Sequence, residues 1–310
     1  MSAIRRKSTV SALALAGVLT LSACSAMVPT NEDGVTGGGD PAAAAPSAGG
    51  HVVDEKLAES VPVEVRDAGV IRMAITPSYP PFESTQADGT IVGLDPDLAH
   101  AIGGVLGLEI EFVPTSFDAI IPALQAGDVD MAMSSIGDTV EREAVVDFAT
   151  YYWNGTLVLV DEGNPLGLTP ELACDARVGV VRGSLQQNTF LPAHTERCED
   201  AGEAPPTSSA YQDVAQAILA LQSNRIDGVM ADAPPVLDAE TKNDGFEAAG
   251  PLLRNPNPGG VAFPKDSALA EPVRGAVDVL IQDGTYGEVL ERWGLSDIAV
   301  EQSELNGAVE

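Results

Sequence analysis

Positive charge is scarce in this chain. Sixteen lysines and arginines stand against 46 aspartates and glutamates, for a formal net charge of −30. The only basic cluster is Arg5-Arg6-Lys7. So acidic a surface repels phosphate backbones and anionic lipid headgroups, which excludes nucleic acid as a partner of the folded part. Histidine and cysteine are equally rare, three of each. No Cys-x-x-Cys or His-x-x-x-His spacing occurs, so neither a metal nor another cofactor is expected. The apolar run at residues 10–20 is too short to span a bilayer comfortably. No nucleophile is paired with a base. What the chain does have is 310 residues with a hydrophobic fraction of 45%. That suffices for a sizeable core in one large or two modest domains.

The basic cluster followed by the apolar run reads as a processing segment, residues 1–23. Leu21-Ser22-Ala23-Cys24 resembles the lipobox of bacterial lipoproteins. That resemblance implies cleavage before Cys24, a lipid on its thiol, and an extracytoplasmic protein anchored to the cell membrane. Residues 24–60 are rich in Gly, Ala, Pro and acids, with Gly37-Gly38-Gly39 and no apolar period. They are expected to form a flexible tether reaching roughly 30 Å. Outside the cytoplasm the two remaining cysteines, Cys174 and Cys198, are expected to bond.

From Ile71 the pattern alternates strand and helix, the signature of an α/β fold. Residues 71–75 and 109–113 read as strands. Asp95-Pro96-Asp97 opens a helix to about Leu106. Ser116 is the expected cap of a helix whose Phe117, Ile120, Ile121 and Leu124 form one apolar stripe. A helix–turn–strand unit then recurs: residues 117–125 and 129–135 match 214–222 and 226–232 in pattern. The spacing of ~97 residues predicts two similar lobes. Lobe one is expected at 61–158 plus 256–300, lobe two at 159–255, and a tail at 301–310. Ser135 and Asp232 fall at equivalent positions past strand ends, where ligands bind in open α/β sheets.

The densest chemistry lies in Met133-Ser134-Ser135-Ile136-Gly137-Asp138-Thr139-Val140-Glu141-Arg142. A strand end, hydroxyls, a glycine, a helix capped by Thr139 and an arginine make a carboxylate-binding device. Arginine supplies a rigid fork of donors, and the helix start supplies unpaired N–H groups. With Tyr79-Pro80-Pro81-Phe82-Glu83, Gly93-Leu94-Asp95-Pro96-Asp97-Leu98, Phe117-Asp118-Ala119-Ile120, Asp147-Phe148, Asp283-Gly284-Thr285 and Trp293-Gly294, it resembles the polar amino acid (family 3) substrate-binding proteins of ABC importers. The resemblance covers about three-quarters of the chain. It implies a two-lobed, type II periplasmic-binding-protein-like α/β fold with a two-crossover hinge. It also implies a monomer that takes an amino acid between its lobes and hands it to an ABC permease. Arg142, the backbone near Gly137 and Ser135 would take the carboxylate, joined by the turn at Ser184. Asp232 would take the ammonium. Tyr79 and Phe117 would wall the side chain.

Members that take basic amino acids often carry an acid three residues before the loop aromatic; here Thr76 stands there. That favours a neutral polar or acidic ligand, with Arg182 a candidate partner for its side chain and Asp138 an opposing one if it faces the cleft. Two other functions are open to the same scaffold. A cleft enzyme, such as a dehydratase, would use Glu83 as its acid. A sensor domain would normally continue into a transmembrane helix, which is not expected here.

Overall fold

The computed structural model describes residues 52–309. Cys24 and most of the expected tether lie outside them. Two five-stranded sheets are built to one plan. The first runs in the order Glu109–Pro114, Val70–Ile75, Met131–Ala132, Gly259–Pro264, Val146–Tyr152. The second runs Thr207–Tyr211, Arg177–Val181, Gly228–Asp232, Gly155–Asp161, Phe246–Arg254. In each, three parallel strands are followed by one that is antiparallel to both its neighbours. Every residue of Val146–Tyr152 is buried, as expected of strands with layers on both faces.

Helix Leu94–Leu106 ends at Gly107 in the left-handed region, and Leu98, Ile102, Val105 and Leu106 are buried. They share a core with Val273, Val277 and Leu280 of helix Ala270–Asp283. Ser116 does not cap as expected. Its hydroxyl donates to Asp118 Oδ1 at 2.7 Å, because the helix begins as a 3-10 turn, Phe117–Ala119, before the α-helix Ile120–Ala126. Pro122 sits in the first turn of that α-helix, where its missing N–H costs little.

The end of the expected tether is helical. Helix Glu55–Ser60 is capped by Asp54, whose side chain accepts from the Leu57 N–H at 3.0 Å. Leu57 and Val61 pack on the first core and the Asp54 N–H donates to the Val105 carbonyl at 2.9 Å, docking a segment too polar to show a period. The expected tail is also docked. Asn306 exchanges two hydrogen bonds with the backbone of Phe148, and Leu305 pairs with Ala149. Residues 303–309 thereby cover the strand that would otherwise be the open edge of the first sheet.

Two crossovers join the sheets. Trp153 and Asn154 separate Val146–Tyr152 from Gly155–Asp161, and residues 255–258 separate Phe246–Arg254 from Gly259–Pro264. They run side by side: Asn255 N–H donates to the Asn154 carbonyl at 3.0 Å, and the Arg254 guanidinium lies 4.4 Å from the centre of the Trp153 ring. Cys174 and Cys198 form a disulfide in the second lobe.

Candidate ligand-binding site

The repeat brings two strand ends face to face. Asp232 ends Gly228–Asp232, and Ser135 follows Met131–Ala132 at φ +46°. A non-glycine residue in that region costs of order 1–3 kcal/mol and persists only when its surroundings hold it. Here the Ser135 N–H donates to Asp95 Oδ2 at 3.1 Å, and its hydroxyl lies 3.2 Å from Tyr152 Oη. The hydroxyl also reaches across the cleft to Asp232 Oδ2 at 3.1 Å.

Asp232 is buried and crowded by donors. Gln186 Nε2 lies at 3.0 Å and Asn255 Nδ2 at 3.4 Å from Oδ1, and the Asp232 N–H donates to Tyr79 Oη at 3.2 Å. Burial pushes its carboxyl above the usual range, while these hydrogen bonds pull it back.

Arg142 enters from the first lobe. Thr139 caps the short helix Val140–Glu143 by accepting the Arg142 N–H at 3.2 Å. The guanidinium donates to the Gly137 carbonyl at 2.5 Å and, across the cleft, to the Gly183 carbonyl at 2.9 Å. It lies 5.8 Å from the centre of the Phe117 ring. Two of its five N–H groups are thus engaged. Burial lowers its pKa, yet a guanidinium stays charged at neutral pH.

These side chains line one small cavity. Thr76, Tyr79, Phe117, Ser135, Gly137, Arg142, Ser184 and Asp232 all face it. Thr76 is turned to its own sheet, donating its N–H to Ser134 Oγ and its hydroxyl to the Thr115 carbonyl. Ser184 is a helix cap whose Oγ accepts from the Gln187 N–H at 3.2 Å. Gln187 Oε1 reaches back to the Gly183 N–H at 2.7 Å, a capping-box arrangement. The Gly183 and Ser184 N–H groups are therefore already occupied within their own lobe, Ser184 donating to the Val181 carbonyl.

Arg182 is not brought to this cavity. It is exposed on the outside of the cleft, 3.7 Å from Asp118 of the opposite lobe. Side chains alternate sides at a strand end, and that alternation turns it away. Asp138 is fully buried but faces the other way: its Oδ2 accepts from the Gly307 N–H at 2.8 Å. Among the cavity residues that the sequence reading did not name as site residues are Gln186, Asn255, Tyr152 and Ser134. The first two sit in the turn and crossover that the reading had marked, and Tyr152 closes a strand whose every residue is buried.

Among the described residues, no group of three or more His, Cys, Asp or Glu could hold a metal ion, and no helix is long and apolar enough to cross a membrane.

Paired α/β lobes with a double crossover, closing on a polar cavity at their strand ends, define a two-lobed solute-binding protein of the periplasmic type. The chain belongs to the bacterial extracellular solute-binding proteins, family 3, whose model matches residues 71–296. Among its relatives is the arginine-binding protein ArgT of Corynebacterium glutamicum, 30% identical over 79% of this chain and 81% of that one. A probable histidine-binding protein of Campylobacter jejuni is 30% identical over 73% and 85%. Among solved structures, an ancestral arginine-binding protein bound to glutamine superimposes with a TM-score of 0.67 at 32% identity, covering 73% of this chain and 98% of that one.

Proposed function

We propose that the protein is a lipid-anchored, extracytoplasmic receptor that captures a polar amino acid between its lobes and delivers it, as a monomer, to an ABC permease. The observation that carries this is the pairing of one guanidinium from lobe one with one carboxylate from lobe two in a single cavity. A free amino acid carries the two complementary charges a few ångströms apart, and each is costly to bury unpaired. Arg142 takes the α-carboxylate with the remaining arms of its fork, helped by the Gly137 backbone and the Ser135 and Ser184 hydroxyls. Asp232 takes the ammonium, and Tyr79 and Phe117 wall the side chain beside Thr76. The relatives named for arginine and histidine support an amino acid as the ligand class. An acidic side chain is the least suited, because among the described residues Arg142 is the one cation lining the cavity and Glu83, Asp213 and Asp232 line it too.

The test is Arg142→Ala and Asp232→Ala with calorimetric screening of the twenty amino acids. Each truncation strands one ligand charge, so affinity should fall by on the order of a hundred- to several-thousand-fold, or roughly 3–5 kcal/mol. Ligand should also shift the wild type toward a more compact form in small-angle scattering. Binding within about threefold of wild type by either variant refutes the bridge. A cleft enzyme is the second reading, favoured by the Glu83 carboxyl in the cavity and by the likeness to an ancestral amino acid-binding protein described as a precursor of cyclohexadienyl dehydratase (TM-score 0.64, 31% identity). Recovery of the bound amino acid unchanged after long incubation decides against it.

A further inference from the structure

The segment that carries Arg142 is too short to hold its own shape. Helix Val140–Glu143 has four residues, and a single helical turn is marginal without outside contacts. Two carboxyls bracket it, Asp138 just before its cap and Glu143 at its end. They stand against each other on one side of the turn, and Glu143 helps push the Asp138 carboxyl up. Charge on both would drive the two ends of the segment apart. Asp138 also adjoins Gly137, whose carbonyl accepts from the Arg142 guanidinium at 2.5 Å. Any movement of this turn therefore passes straight to the guanidinium.

The donors that hold the pair come from far along the chain. The Gly307 N–H donates to Asp138 Oδ2 at 2.8 Å, and the next N–H, of Ala308, donates to Glu143 Oε1 at 2.9 Å. The third in succession, Val309, donates to Asn257 Oδ1 at 2.9 Å. Asn257 belongs to the second crossover, and its neighbour Pro258 accepts the Asp138 N–H at 2.8 Å. Three consecutive N–H groups thus tie both ends of the Arg142 segment to the crossover. The strap is itself well seated. The Glu304 N–H donates to Thr150 Oγ1 at 2.9 Å, and Asn306 Nδ2 donates to Asp147 Oδ1 at 3.0 Å. It runs close: a Cβ on Gly307 would stand 3.1 Å from Thr150 Cγ2 and 3.3 Å from Pro258 Cγ.

We propose that Gly307, Ala308 and Val309 are positioning residues for the ligand's carboxylate, acting through Asp138 and Glu143 to hold Arg142 in its binding geometry. This rests on the amino acid receptor reading. None of the three lines the cavity, so they touch no ligand there. Their N–H groups work by bonding two carboxyls, and such charge-assisted bonds are the strong ones. Without them the carboxyls are left facing each other with nothing to offset their repulsion. The short helix then loosens, and the guanidinium no longer waits in place for a carboxylate. A purely structural strap would instead serve the edge strand alone, and its loss would lower stability without being answered by any change at Glu143.

The experiment ends the chain at Leu305 and measures amino acid affinity by calorimetry at pH 8.5, where the wild-type Asp138 carboxyl is ionised. The probe is whichever of L-arginine and L-glutamine the wild type binds. Affinity should fall about tenfold. Adding Glu143→Gln to the shortened chain replaces one carboxyl with an amide, which can donate to Asp138 as Gly307 did. That should restore affinity to within about threefold of wild type, while the urea midpoint stays low because the edge strand is still uncovered. A shortened chain that binds within about twofold of wild type overturns the proposal. So does a loss that Glu143→Gln leaves unrepaired, which would make the strap a cover for the edge strand and nothing more. Should the shortened chain fail to fold, Ala308→Pro decides in its place. It removes the one N–H given to Glu143 and leaves the bonds of residues 304–306 intact. It should weaken binding severalfold and be repaired by Glu143→Gln, and unchanged affinity refutes the positioning role. Silence of the wild type toward all twenty amino acids sinks the receptor reading instead.

Discussion

Asp138 gives the sharpest stability test. It lies beside Gly137, fully buried, with Oδ2 on the Gly307 N–H and Oδ1 without a hydrogen-bond partner among the described residues. Burial first, and then Glu143 beside it, push its carboxyl from 3.8 up to about 7, against the pull of the Gly307 and Ala308 N–H groups. Below pH 3.8 both folded and unfolded chains hold this proton, and Asp138 contributes no pH dependence. As pH rises toward 7 the unfolded chain releases it while the folded chain keeps it, so stability falls. Above about 7 the loss is complete. Three units at ~1.4 kcal/mol each give an upper bound of about 4 kcal/mol, and about 2 is expected once the surroundings relax. Asp138→Asn keeps an acceptor for Gly307 and offers an N–H to Glu143. It should match wild type near pH 3.5 and exceed it by about 2 kcal/mol at pH 8.5. Urea unfolding followed by circular dichroism at four pH values measures this. A variant advantage that is constant with pH, or that grows toward acid, would refute the reasoning.

Two further outcomes are expected. Replacing Cys174 and Cys198 with serine opens a 24-residue separation and should destabilise the protein by roughly 3 kcal/mol, read as a lowered urea midpoint; two free thiols on alkylation of the unreduced wild type would remove the basis for it. Cys24→Ser should release the protein from membranes on fractionation, because the thiol is the atom that would carry the lipid, and a variant that stays membrane-bound would refute the anchor.

Much of the fold was legible because its signals are local and repeated. Apolar runs of five or six residues, glycines at helix ends and a recurring helix–turn–strand unit suffice to draw two similar lobes. Ser135 and Asp232, which the ~97-residue repeat sets at equivalent positions, meet across the cleft. What escaped was set by contacts whose sequence signal is a single residue. Leu57 and Val61, with the Asp54 N–H on the Val105 carbonyl, dock a helix inside the expected tether. The turn after strand Arg177–Val181, with Gly183 at φ +79°, leaves Arg182 outward and Ser184 inward.

The buried carboxyls show the same limit more sharply. Asp95 reads from the sequence as an ordinary first-turn acid at a helix start, and there it would be solvated and interchangeable. Its actual position depends on Gly93, which has no side chain to keep Phe82 at a distance. Once the Pro81 and Phe82 carbonyls accept the Leu94 and Asp95 N–H groups of the helix start, Asp95 holds the N–H of the strained Ser135, and Ser135 in turn holds Asp232. The two lobes are therefore linked to each other by the same groups that would hold a ligand, Ser135 to Asp232 and Arg142 to the Gly183 carbonyl. A ligand entering this cleft replaces those contacts rather than adding to them. Its hold on the closed form is then the difference between two sets of bonds. That difference is where a full-charge zwitterion outweighs the hydroxyl and carbonyl it displaces.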